Sequence, residues 1–226
     1  MKPHGTLNRP RIQAAAVTIN SVTFIFGGPG KDDTYEYLPK ESKVWILGKQ
    51  KIPGGMEDGY AVAIEAKQEI LLIGGTNDSM KYNRILKFNT KDHTFEELPT
   101  KMNYLRAGHR CAFIPGTKKI IITGGMGLTY TEIFDTENYS ITKEQNQMNV
   151  GRSHHGIGIV TINDEDKLAV FGGMNNQCWP FEALDSVEIY NSKIQKWEMT
   201  DMKLNKGNFG FGFLSANREL VLNANW

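Results

Sequence analysis

Few side chains in this sequence are equipped for chemistry. The histidines are His4, His93, His109, His154 and His155, and the thiols are Cys111 and Cys178. His109 and His155 each follow an arginine, Arg106 and Arg152, by three residues, so they hold equivalent places in a repeated pattern. Two imidazoles brought together in that way would suit a metal ion. The plainer reading makes them repeat residues hydrogen-bonded to backbone at the entry to a strand. No Cys-x-x-Cys pair supports zinc or thiol redox work. No Ser/His/Asp or paired-carboxylate arrangement stands out along the chain, although folding can assemble a triad from scattered residues. Arg106, Arg152 and Lys206 recur with the pattern and read as bonding carbonyls or a neighbouring unit's acid, with ligand contact as the alternative.

The elements that must position these residues announce themselves by repetition. An apolar run ending in a glycine pair occurs at Thr23–Gly28, Leu71–Gly75, Ile121–Gly125 and Leu168–Gly173. The leading glycines, Gly27, Gly74, Gly124 and Gly172, are 47, 50 and 48 residues apart. A fixed period of that size signals a repeat architecture. The pairs are not a phosphate loop, because no Gly-x-x-x-x-Gly-Lys follows and no helix opens behind them. Glycine here answers a backbone need, a sharp turn with close approach of a neighbouring strand.

Each glycine-pair run is preceded by a second short apolar run and a turn, which reads as a hairpin. After each pair come two more short strands with large apolar residues seven apart: Leu38 and Trp45, Phe88 and Phe95, Phe134 and Ile141, Tyr190 and Trp197. A methionine four residues before the basic residue closes the unit at Met102/Arg106, Met148/Arg152 and Met202/Lys206. No stretch sustains a helical apolar period. Four strands per repeat of this length predict an all-β fold, a β-propeller with four full blades and a partial fifth. Residues 1–10 read as a polar lead-in. The blades span about 11–55, 56–105, 106–151 and 152–205, with the partial copy at 206–226. In that last copy Asn223-Ala224 replaces the glycine pair. Three readings of the ring stay open: part of a longer chain, a small or incomplete ring, or completion by a partner.

The pattern resembles the kelch repeat: a basic residue, an inner strand, a strand ending in Gly-Gly, then an outer Tyr and Trp. The fourth unit carries it most fully, with Arg152-Ser-His-His155, Val170-Phe-Gly-Gly173, Tyr190 and Trp197. The resemblance implies a protein-binding module, a scaffold or substrate-recognition domain presenting loops at the channel face. Position by position it implies partner contacts after the junction at Glu57, Asp58, Ala107, Ser153, His154, Gly207 and Asn208. After the glycine pair it implies contacts at Pro29, Thr76, Met126 and Met174. The long fourth-unit loop, Met174–Asp185, carries Trp179 beside Pro180 and Phe181, which reads either as an exposed interaction candidate or as a loop folded over its own blade. Kelch-like enzymes of the copper-oxidase or sugar-isomerising kind are the alternative, as is a fragment of a longer protein such as a ubiquitin-ligase adaptor. The histidines do not fall into the copper-oxidase pattern, and neither a metal nor a cofactor is expected.

Composition narrows the partners. The chain has 226 residues with a net charge of +1, which gives no global argument for nucleic acid or an anionic membrane. No apolar run approaches the roughly 20 residues of a membrane helix. The N-terminus lacks a secretory apolar core, so a cytoplasmic protein with reduced thiols and a peptide or loop ligand is expected.

Overall fold

The computed structural model describes residues 5–210 apart from Lys31, Ser79 and residues 176–179. Most of the partial fifth copy, including Asn223-Ala224, therefore lies outside the described residues. Each of the four repeats folds as one antiparallel sheet whose strands pair in sequence order. The first blade contains β1 (Ala15–Ile19), β2 (Val22–Phe26), β3 (Tyr35–Leu38) and β4 (Ile46–Leu47). The second contains β5 (Tyr60–Ile64), β6 (Glu69–Ile73), β7 (Ile85–Asn89) and β8 (Phe95–Glu97). The third contains β9 (Arg110–Phe113), β10 (Lys119–Thr123), β11 (Tyr130–Asp135) and β12 (Ser140–Gln147). The fourth contains β13 (Gly156–Ile162) and β14 (Glu165–Phe171), then a two-residue ribbon of β15 (Met174–Asn175) and β16 (Glu182–Ala183). It closes with β17 (Ser186–Asn191) and β18 (Lys196–Lys203). Helix is confined, among the described residues, to one 3-10 turn at Glu65–Lys67.

Successive inner strands touch, β1 with β5, β5 with β9 and β9 with β13, so the blades stand side by side around a shared channel. The core lies between blades. Phe24, Phe26 and Tyr35 of the first blade enclose Phe88 of the second edge-on, with ring centroids 5.2–5.5 Å apart. Strands β6 and β10 are covered on both faces. Ile70, Leu71 and Ile73 are fully buried, as are Ile120, Ile121 and Ile122. That double burial explains why their sequences are unbroken apolar runs and not alternating ones. The seven-residue spacing is the register of the outer hairpin: Phe88 faces Phe95, Phe134 faces Ile141 and Tyr190 faces Trp197. Each pair fills the space toward the preceding blade. In the first blade β4 begins only at Ile46, and Leu38 and Trp45 stay half-buried. Their face has no preceding blade among the described residues.

The recurring arginine is an inter-blade rivet. Arg106 Nε donates to Glu132 Oε2 at 2.9 Å and its Nη1 to the Gly124 carbonyl, within its own blade. Arg152 Nη2 donates to Glu188 Oε1 and Nη1 to the Gly172 carbonyl, both at 2.7 Å. Arg11 makes the same contacts with Glu36 and Gly27. The acid thus belongs to the arginine's own blade and not to the neighbour, contrary to the expectation above. The link to the neighbour is the arginine's carbonyl, which accepts the N–H of the preceding blade's second glycine: Gly75 to Arg106 at 2.8 Å, Gly125 to Arg152 at 2.9 Å. A Cβ on the leading glycine would meet that carbonyl, 2.8 Å from Arg106 O at Gly74 and 2.3 Å from Arg152 O at Gly124. The glycine pair is therefore a docking surface for the next blade's backbone.

An asparagine completes the clamp. The backbone and side-chain N–H groups of Asn103 donate to Glu132, those of Asn149 to Glu188, and those of Asn8 to Glu36. Asn8 and Arg9, from the stretch read as a lead-in, both donate to Glu36. The second blade lacks the whole set. Met56 stands where the arginine would be and Leu86 where the glutamate would be, and both are buried in the core between blades one and two. Exchanging both members of a buried ion pair for apolar residues leaves no stranded charge, which is why the substitution is tolerated as a pair.

Backbone bonds move the fifth junction by two residues from the expected place. Gly173 N–H donates to Asn208 O at 2.9 Å, as Gly125 does to Arg152. Leu204 N–H donates to Asp185 O at 2.8 Å, as Met148 does to Thr129. The junction pair is Leu204/Asn208, not Met202/Lys206. β18 continues to Lys203, so Met202 is still in the outer strand and remains 41% exposed.

Candidate channel-mouth site

Two residues after each clamp position the chain turns into its inner strand, and that turning residue is left-handed every time. Gln13 has φ +53°, Asp58 +56°, Gly108 +66°, His154 +51° and Gly210 +72°. The five are joined in sequence. Asp58 N–H donates to Gln13 O at 2.8 Å and Gly108 N–H to Asp58 O at 2.9 Å. His154 N–H donates to Gly108 O at 2.7 Å and Gly210 N–H to His154 O at 2.9 Å. A rim of positive-φ residues costs conformational energy wherever the residue is not glycine, and such strain persists only where surrounding contacts fix it. Here the rivets one turn away supply those contacts.

One side-chain contact crosses this rim. His154 Nε2 lies 2.9 Å from Asp58 Oδ2 and 3.0 Å from Oδ1, linking the fourth blade to the second. The imidazole passes over Gly108, where a Cβ would fall 2.7 Å from the ring. Asp58 and His154 side chains keep 13% and 22% of their exposure, so the pair faces the channel without standing free in water.

The other expected contact residues divide. Pro29 and Met126 are exposed. Thr76 and Met174 are half-buried, and their backbones bridge to Glu57 and Ser153, extending the inner hairpins toward the rim. Glu57 accepts the Gly30 N–H at 2.9 Å, tying the first blade's loop to the second blade. Ser153 is fully buried, as is Ala107 at 3%, so neither presents a side chain at this face. Ser153 also carries the backbone bridge to Met174. Asn208 is exposed but takes the clamp position, so Phe209 and Gly210 are the rim residues there. Trp179 lies outside the described residues, while Pro180 and Phe181 beside it are exposed.

His109 and His155 are fully buried beneath the rim. His155 Nε2 pairs with the Thr123 hydroxyl at 2.8 Å, a side-chain partner and not the expected backbone one. At the matching place His109 has the expected backbone partner, Ile73, which favours its protonated form, although neither ring nitrogen reaches ordinary hydrogen-bond geometry. Burial first, then the nearby arginines, holds both imidazoles well below the usual histidine range. Among the described residues no three His, Cys, Asp or Glu side chains gather as a metal-binding set. Cys111 is a buried free thiol whose pKa burial pushes up, a poor nucleophile.

Below the rim the inner strands enclose a cavity of about 390 Å³, whose walls include Gln13, Ala15, Tyr60, Arg110, His154 and Gly156. Ala15, Tyr60, Arg110 and Gly156 hold the same position in the four blades, facing Phe26, Ile73, Thr123 and Phe171 of the second strands. Tyr60 and Arg110 are the large members, and reading by repeat position alone passed over them. The available signal was a lone arginine at an inner-strand position held elsewhere by alanine, tyrosine and glycine.

Neither a protein-family model nor a curated protein sequence matches the chain. Among solved structures, the fold is similar to that of YjhT, with a TM-score of 0.68 and 16% identity. The match covers 88% of this chain and 68% of that one. At that identity the likeness is one of fold. Together with four sequential antiparallel blades, it identifies the chain as an all-β protein of β-propeller type.

Proposed function

We propose that this propeller is of the kelch kind and serves as a protein-binding module, taking a peptide or loop of a partner at the channel mouth. The observation that carries the reading is the rim. Its five turning residues are bonded one to the next, and they hold a half-buried Asp58–His154 pair inside a perimeter with exposed Pro29 and Met126. A rigid scaffold with a polar centre and apolar edges matches the anatomy of protein interfaces, and rigidity lowers the entropic cost of binding. The buried free thiol of Cys111 agrees with a cytoplasmic setting.

The test is selection of peptides from a displayed random library on the full chain, followed by direct affinity measurement. Asp58→Ala combined with Met126→Asp is expected to weaken the selected peptides by about tenfold or more, the scale of losing a small hot spot. Lys118→Ala, an exposed change in the β9–β10 turn away from the mouth, is expected to leave them unchanged. Peptides that bind the rim variant as well as the parent chain would refute the reading.

A further inference from the structure

The arginines nearest the channel fall into two groups. Arg11, Arg106 and Arg152 each hold a fully buried glutamate, at 3.1, 2.9 and 2.7 Å. Arg110 holds none. Its Nη1 donates to the neighbouring His109 carbonyl at 3.0 Å, and its guanidinium lies 5.7 Å from the Tyr60 ring. No carboxylate pairs with it among the described residues, although it is half-buried in the wall of the cavity below the rim. A guanidinium carries five N–H donors in a planar fork, and among the described residues one is used. Asp58, the acid in the cavity wall, already has a side-chain partner in His154, at 2.9 Å.

The cavity has the shape of a site for a small molecule. Tyr60 and Arg110 bring large side chains to its wall, and the first and fourth blades contribute the small residues Ala14, Ala15, Ala16 and Gly156. Its volume lies within the range of ligand pockets. Tyr60 titrates above the usual tyrosine range because of burial and the nearby Cys111, against the pull of Arg110, so its phenol stays neutral and brings no repelling charge. The Asp58–His154 pair lies across the mouth, so a compact molecule enters more readily than a folded loop.

We infer that the channel interior is a binding site for a small organic carboxylate, whose acid group pairs with the Arg110 guanidinium beside the Tyr60 ring. This goes beyond the rim reading. It uses the wall of the channel and stands whether or not a protein binds outside.

The experiment uses the full chain with benzoate, pyruvate, the neutral isostere benzamide and inorganic phosphate as probes. Arginine-directed labelling with phenylglyoxal, mapped by peptide mass spectrometry, should modify Arg110 and spare Arg11, Arg106 and Arg152. Benzoate or pyruvate should suppress labelling at Arg110, whereas benzamide and phosphate should not. By calorimetry, Arg110→Gln should weaken carboxylate binding by about tenfold or more, the loss of a charge-assisted pair. Arg110→Lys should retain part of it. Arg110 inert to the reagent, unprotected by either carboxylate, or equally protected by phosphate would overturn the assignment. Because labelling and protection are read on the unaltered chain, an unstable variant would leave the result intact.

Discussion

At the scale of single residues, the most consequential are the two buried histidines under the rim. His109 and His155 are kept neutral by burial and the neighbouring arginines, so their pKa values in the folded state lie well below the unfolded value near about 6.5. The neutral forms contribute stability that is fully present above that value and is lost as pH falls below it, because the unfolded chain takes up protons that the folded one refuses. Urea melts from pH 8 to 5 should therefore show stability falling below about pH 6.5, with each histidine adding up to about 1.4 kcal/mol per pH unit. His155→Phe should lower that slope by about one proton. An unchanged slope would show that these imidazoles are not the groups responsible. A second window lies lower. Burial raises the Glu36 pKa, but the N–H groups of Asn8 and the Arg11 guanidinium outweigh it and hold the carboxyl below the usual range. Its contribution is present above the unfolded value near about 4.3 and is lost as pH falls through the folded one.

Among the elements, the blade junction carries most of the design, and it is also where sequence reading fell short. The glycine pairs, the strand order and the facing residues Phe88/Phe95, Phe134/Ile141 and Tyr190/Trp197 were legible, because period and spacing translate directly into register. The glutamates were not. Glu36, Glu132 and Glu188 stand two residues before the outer apolar residue and look like solvated strand positions until the fold buries them completely. Asn8, Asn103 and Asn149, each three residues before the arginine, passed unnoticed for the same reason. Lys206 does not take the clamp position, because Met202, which stands four residues before it, still belongs to β18. The second blade offers a natural control for the clamp, since Met56 and Leu86 replace arginine and glutamate together. Glu132→Leu alone should destabilise the protein by about 3–5 kcal/mol, because Arg106 is left buried and unpaired. Adding Arg106→Met should recover much of that loss in denaturant melts. A double variant as unstable as the single one would mean that the charge pair, and not its balance, holds the junction.

For the whole molecule, stability is a sum of contacts between neighbouring blades, as in other repeat proteins. The second and third blades have described neighbours on both sides, and β6 and β10 are buried throughout their apolar runs. The outer strands are thin by comparison: β4 has two exposed residues, and β18 leaves Met199 and Met202 in water. Amide exchange should accordingly be slowest in β6 and β10 and fastest in β4 and β18, differing by several orders of magnitude in rate, as expected between core and fraying elements. Uniform protection across all four blades would contradict this picture.

The bonded rim has a further consequence for whatever approaches it. Asp58, Gly108 and His154 each spend both their backbone N–H and their carbonyl on the next and preceding blades. A visitor at the channel mouth therefore meets no spare main-chain N–H at these three positions and reads chiefly side chains. Main-chain recognition is insensitive to residue type, whereas this rim is rewritten by each substitution at 58 or 154. The same ring of bonds that fixes the mouth's shape leaves its selectivity free to drift, so two chains sharing this rim can admit quite different molecules.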